Sequence, residues 1–144
     1  LDNAELLADG SDNFQTSIIV LTLHQGNWEW LLQRAALEYP LPLAPVYKTL
    51  HNPAAYQFML GLRTLRNAQP VEMRCIAKNF IRNRRQPRIV AMLADQSPGH
   101  RERAHRTTFL HQDTAFYSGA AQLARATGFT SCLWPRCGYG ICAY

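Results

Sequence analysis

No apolar run in this 144-residue chain approaches the ~18–20 residues that a membrane-spanning helix needs. No secretory leader is legible either: Leu1–Gly10 holds three acids and no base, the reverse of a leader's basic start. The first residue is Leu rather than Met, so the native start is expected to lie upstream. Cysteine is sparse, at Cys75, Cys132, Cys137 and Cys142. The last three are five apart, which is neither a zinc-knuckle nor a CxxC redox spacing. They read as small buried hydrophobes of a reducing compartment. Charge is modest at 17% against 47% apolar residues, which excludes a disordered polar tail. Eight Gly and eight Pro exclude collagen-like or linker character. Internal repeats and low-complexity stretches are absent. The remaining reading is one globular domain over residues 1–144, long enough to bury a core without disulfides.

The charge that is present is unevenly placed. The net is +5, yet residues 1–45 carry six acids and one base, while residues 46–144 carry fourteen bases and four acids. The bases concentrate at Arg82, Arg84, Arg85 and Arg88, and again at His100, Arg101, Arg103, His105 and Arg106. Such runs suit a polyanion, whether nucleic acid, an anionic membrane surface, a phosphorylated lipid or an acidic carrier protein; they equally suit a solvated helix face and a loop.

Apolar patterning predicts alternating strands and helices. Ser17–Leu23, Arg88–Ala94 and Phe129–Trp134 are short apolar runs that read as strands of a parallel sheet, the first two buried on both faces. Shorter strands are expected at Ala44–Lys48, Val71–Met73, Thr107–Leu110 and Gly140–Tyr144. Helices are expected at Trp28–Glu38 with Asn27 as N-cap, at Pro53–Leu65 with Pro in its first turn, at Arg74–Asn83, and at Tyr117–Thr127 ending on Gly128. Asp95–Arg106 reads as a polar loop. Trp28 and Trp30 suit either the lining of an acyl groove or packing, and Tyr56, Phe58 and Met59 read as core or, if exposed, as a cluster that touches a membrane. The fold class is α/β, a mainly parallel central sheet flanked by helices.

In such sheets ligands bind beyond the carboxyl ends of the strands. The segment there after the first strand is His24-Gln25-Gly26-Asn27-Trp28-Glu29. A carboxylate on imidazole Nδ1 would fix the tautomer and leave Nε2 as a general base for a hydroxyl. Gly26 would permit the tight turn, and free N–H groups at the helix start would face an oxyanion. On these residues alone the pair also reads as a turn histidine beside a surface glutamate.

The string H-Q-G-N-W-E-W resembles the His-x4-Asp/Glu catalytic motif of the bacterial lipid A biosynthesis acyltransferases. Ala44–Lys48 followed by Asn52, Gly61–Arg63, Leu93–Gly99 and Thr108–Gly119 resemble further blocks of that family in order and spacing. The resemblance runs from about Ile18 to Tyr144. It implies a glycerolipid acyltransferase-like fold truncated at both ends, since full members are longer and carry an N-terminal hydrophobic anchor. Glu29 stands where the wider superfamily has Asp.

What the resemblance implies is acyl transfer from an acyl carrier protein thioester, or acyl-CoA, to a hydroxyl of a phosphorylated lipid A precursor. His24 would be the base and Glu29 its orienting carboxylate, with Asn27, Arg63 and Asp95 toward substrate. No metal or cofactor is implied, the thioester being a substrate. The implied partners are acyl carrier protein, the lipid A precursor and an anionic membrane surface, without nucleic acid. The implied location is the cytoplasmic face of the inner membrane, peripherally or through an anchor outside this chain. The competing readings are a non-catalytic basic module for lipid or nucleic acid, and a non-catalytic relative that keeps the fold.

Overall fold

A computed structural model of the chain describes residues 16–99, 104–133 and 141–143. Strand β1 (Ile18–Thr22) is central, and the loop after it leads to helix α1 (Trp28–Glu38). Asn27 caps α1, its Oδ1 accepting from the Trp30 N–H at 3.1 Å. Strand β2 (Leu43–Tyr47) leads to α2 (Pro53–Arg63), where Asn52 accepts from the Ala55 N–H and Pro53 fills the first turn. A two-residue strand β3 (Val71–Glu72) and a 3₁₀ turn (Met73–Cys75) run into α3 (Ile76–Arg82). Strand β4 (Ile89–Leu93) follows, then β5 (Ala104–Phe109), β6 (Gln112–Tyr117), α4 (Gly119–Thr127), β7 (Thr130–Leu133) and β8 (Ile141–Ala143).

The sheet order is β3-β2-β4-β1-β7-β8. Its first five strands are parallel, and β8 pairs antiparallel to β7. Alternation along buried strands feeds two cores. Ile19, Val46, Val90 and Met92 face α3 and α4, which contribute Phe80 and Ala120. Val20, Leu43, Ile89 and Ala91 face α1, which contributes Leu32, Ala35 and Ala36. Ile19, Val20, Leu43, Ile89 and Val90 are essentially fully buried. Each such side chain contributes about 1.5–3 kcal/mol, so the three strands carrying them anchor the framework of the site. Helix α2 joins the α1 side, tied by Gln33 Nε2 donating to the Leu62 carbonyl at 2.6 Å.

Several expectations shift. Tyr117 ends a strand, and α4 begins at Gly119, because Gln112–Tyr117 pairs antiparallel with β5 as a separate two-stranded sheet. Cys132 is buried as expected, whereas Cys75 is exposed; the Cys137 and Cys142 side chains lie outside the described residues. Phe58 is 67% exposed rather than core, because α2 packs on α1 instead of on the sheet along that face. Arg88 is buried and leaves the expected basic surface: its guanidinium lies 5.0 Å over the Phe80 ring and donates to the Asn79 carbonyl. Among the described residues no helix is long and apolar enough to cross a membrane.

Candidate active site

His24 lies two residues beyond the end of β1, and Asp95 two residues beyond the end of β4. These strands are parallel neighbours with Thr22 opposite Leu93. Continuing that register past both ends sets His24 beside Asp95. His24 Nδ1 and Asp95 Oδ1 are 2.7 Å apart, and the His24 backbone N–H donates to Asp95 Oδ2, also at 2.7 Å. One carboxylate therefore holds both the ring and the backbone of His24. With an ionised Asp95, Nδ1 carries the proton and Nε2 is the basic nitrogen. Desolvation pushes the Asp95 carboxyl upward. The hydrogen bonds from the His24 backbone and ring, with that from Asp95's own backbone, outweigh it and hold the carboxyl below its ordinary value. Asp95 is thus a carboxylate throughout the neutral range.

The expected pairing of Glu29 with His24 is corrected here. Glu29 sits on the first turn of α1, facing the last residue of α2. Arg63 donates to Glu29 Oε1 from Nε at 3.0 Å and from Nη2 at 2.5 Å. The five-residue spacing brings Glu29 to the right end of the sheet, but the helix turn aims it at α2. Arg63 is 8% exposed, with its guanidinium 5.0 Å over Trp28 and 5.7 Å over Tyr47. It is a planar, stacked, paired cation, an arrangement suited to guanidinium and poorly served by lysine.

Gly26 makes the connecting turn with φ of 61°, a left-handed conformation that glycine adopts without cost. Trp28 meets the His24 ring edge-on at 6.3 Å, which limits the ring's freedom on its other side. Tyr47 exchanges a hydroxyl contact of 3.2 Å with Tyr56, and burial first, then that contact, raise its pKa to about 12. It stays a neutral hydroxyl under any ordinary assay condition.

These groups open on a cavity of about 490 Å³, within the ~300–1,000 Å³ of small-ligand pockets. Its polar edge carries His24, Lys48, Arg63 and Gln96, and its apolar wall includes Val46, Met73, Met92 and Leu93. A base, cations and an apolar wall together suit a substrate with a hydroxyl, an anionic group and a hydrocarbon portion. Among the described residues no three His, Cys, Asp or Glu side chains converge to hold a metal ion.

Of the residues singled out from sequence, His24, Glu29, Arg63 and Asp95 cluster at the carboxyl edge of the sheet. Asn27 is beside them, its carboxamide oxygen engaged in the helix cap. Trp28 lines the pocket, while Trp30 is 75% exposed. Arg82, Arg84 and Arg85 lie elsewhere. They end α3 and precede β4, and Arg84 and Arg85 line a groove with Ile81 and Phe129 at the amino edge of the sheet. The length of β4 separates the two regions, about 17 Å at 3.3 Å per residue. Met73, Met92 and Tyr117 went unremarked in sequence, since apolar residues give no sign of lining a cavity rather than a core.

No curated protein matches the sequence. Residues 5–136 match the family model of the bacterial lipid A biosynthesis acyltransferases. The matched span takes in β1 through the end of β7, with both strand ends that carry the His24–Asp95 pair, and the chain belongs to that family.

Proposed function

We propose that this lipid A biosynthesis acyltransferase moves a fatty acyl group from an acyl carrier protein thioester to a hydroxyl of a phosphorylated lipid A precursor, with His24 as general base. The observation that carries the reading is the His24 ring held through Nδ1 by Asp95 and lining a pocket that joins an apolar wall to Lys48 and Arg63. His24 Nε2 takes the acceptor hydroxyl proton as the oxygen attacks the thioester carbonyl carbon. The tetrahedral intermediate collapses with cleavage of the C–S bond. The departing thiolate takes the proton back from the imidazolium, so the base is restored. No covalent acyl-enzyme is needed. Asp95 sets the tautomer and stabilises the imidazolium, a role in which the carboxylate stays ionised. Glu29 and Arg63 act one step back, as a paired brace under Trp28 that fixes the helix turn next to His24. Lys48, exposed on the pocket's polar edge, supplies positive charge where an acceptor phosphate would enter. The site acts at a lipid surface, the cytoplasmic face of the inner membrane.

The test is acyl transfer from labelled acyl carrier protein to a lipid A precursor in detergent micelles, wild type beside His24→Ala. Loss of a general base lowers turnover by ~10²–10⁴. Equal turnover in the two proteins contradicts the mechanism. Turnover in neither, with RNA or lipid binding retained in both, moves the chain to a non-catalytic role.

A further inference from the structure

The β5–β6 hairpin takes no part in the site as described, yet it leaves from its rim: Tyr117, the last residue of β6, and Gly99, shortly before β5, both line the pocket. The two strands form a sheet of their own, and every residue of β5 is exposed. In its register His105, Thr107 and Phe109 share a face with Gln112, Thr114 and Phe116. On that face Phe109 and Phe116 meet edge to face with ring centroids 5.7 Å apart, 52% and 40% exposed. The opposite face carries the Arg106–Asp113 pair and Thr108 beside Ala104, Ala115 and Tyr117.

The tip sharpens the asymmetry. Phe109 faces Gln112 across a two-residue loop, Leu110-His111, with φ of 50° and 64°. Positive φ at both central positions is the type I′ pattern, which favours Asn-Gly. Here two side-chain-bearing residues hold it, at a conformational cost, and the turn sets Leu110 outermost at 77% exposure. A strained turn that presents a leucine to solvent has no gain in the isolated chain. Around it the sequence leans cationic: residues 100–117 hold Arg101, Arg103, Arg106 and three histidines against Glu102 and Asp113.

We propose that this hairpin is a bilayer probe, which lays Phe109 and Phe116 into the headgroup–acyl boundary of an anionic membrane with Leu110 leading, so that the pocket at its base is held over the lipid. An apolar edge flanked by bases is the composition that interfacial elements use. Phe116 adjoins Tyr117, which lines the pocket, so seating the Phe109–Phe116 pair at the boundary brings the pocket rim to the lipid surface. The proposal rests on the reading that the acceptor is a lipid, and its test reads binding without acyl transfer.

The experiment is co-sedimentation of the whole chain with phosphatidylethanolamine/phosphatidylglycerol vesicles, comparing wild type with Leu110→Asn/His111→Gly. That variant keeps the turn type while removing its apolar tip, and circular dichroism checks its fold. Removing a leucine's burial lowers the partition coefficient by about tenfold or more. A second variant, Phe109→Ser, lowers it as well, while Phe58→Ser, on exposed α2, does not. Equal partitioning of wild type and tip variant overturns the proposal, as does failure of wild type to bind the vesicles. The same proteins are then assayed on micellar acceptor. Absent transfer with tip-dependent vesicle binding overturns the acyltransfer reading alone. Normal transfer with tip-independent binding overturns the hairpin proposal alone.

Discussion

Asp95 and Glu29 are both carboxylates near one histidine, and their neighbours divide the work between them. Asp95 is opposite His24 because two parallel strands in register end together; Glu29 is opposite Arg63 because two helices do. The distinction has a chemical consequence. An acid on imidazole Nδ1 tunes the base directly, whereas an acid on a buried guanidinium neutralises a charge that would otherwise be costly. Arg88 supplies the contrast. It is 3% exposed, its Nε has no hydrogen-bond partner, and desolvation lowers its pKa. A buried cation without a carboxylate contributes through the packing of its stem and its face on Phe80. Arg88→Met, of similar length, is therefore expected to leave stability unchanged or to raise it by about 1 kcal/mol, read from urea midpoints. A loss of several kcal/mol would show that Arg88 is held by charge.

At the scale of elements, what the sequence made legible follows from periodicity and punctuation. Helix α1 was expected at the bounds it has, because Asn27 caps it, an apolar stripe of Trp28, Leu31, Leu32 and Ala35 runs through it, and prolines follow it. The buried strands β1 and β4 were legible from their apolar runs. The β5–β6 hairpin was half seen, as a strand over Thr107–Leu110, because Leu110-His111 hides a type I′ turn behind residues that do not announce one. Strand direction was also hidden: nothing in Ile141–Ala143 says that β8 runs opposite to its neighbour. The turn yields a local prediction. Leu110→Asn/His111→Gly relieves positive φ at two positions, worth about 1 kcal/mol. Amide exchange within β5 and β6 should slow about fivefold with β1 and β4 unaffected. Unchanged or faster exchange in the hairpin would mean that the native turn is not strained.

Across the described residues, the candidate site and the Arg82–Arg85 cluster occupy opposite edges of the sheet. His24 and Asp95 stand at the carboxyl edge, where parallel sheets bind ligands. Arg82, Arg84 and Arg85 stand at the amino edge, about 17 Å away along β4. The location of the site was legible because the sequence marks where a buried strand stops. The pairing within it was not, because residues 71 apart become neighbours only when β4 inserts between β2 and β1, after three helices have intervened. A local spacing of five pointed to Glu29; a sheet order decided for Asp95.

The most direct test of that assignment is turnover of Asp95→Asn beside Glu29→Gln, each with its melting temperature, in the acyl-transfer assay. The account predicts that Asp95→Asn loses ~10²-fold or more in kcat with KM and melting near wild type, because an amide no longer holds the tautomer or stabilises the imidazolium. It predicts that Glu29→Gln loses stability, by ~3 kcal/mol, through an uncompensated Arg63, with a smaller effect on kcat of the folded protein. Wild-type turnover in Asp95→Asn, with turnover abolished in a fully stable Glu29→Gln, would contradict the account and return the orienting role to Glu29.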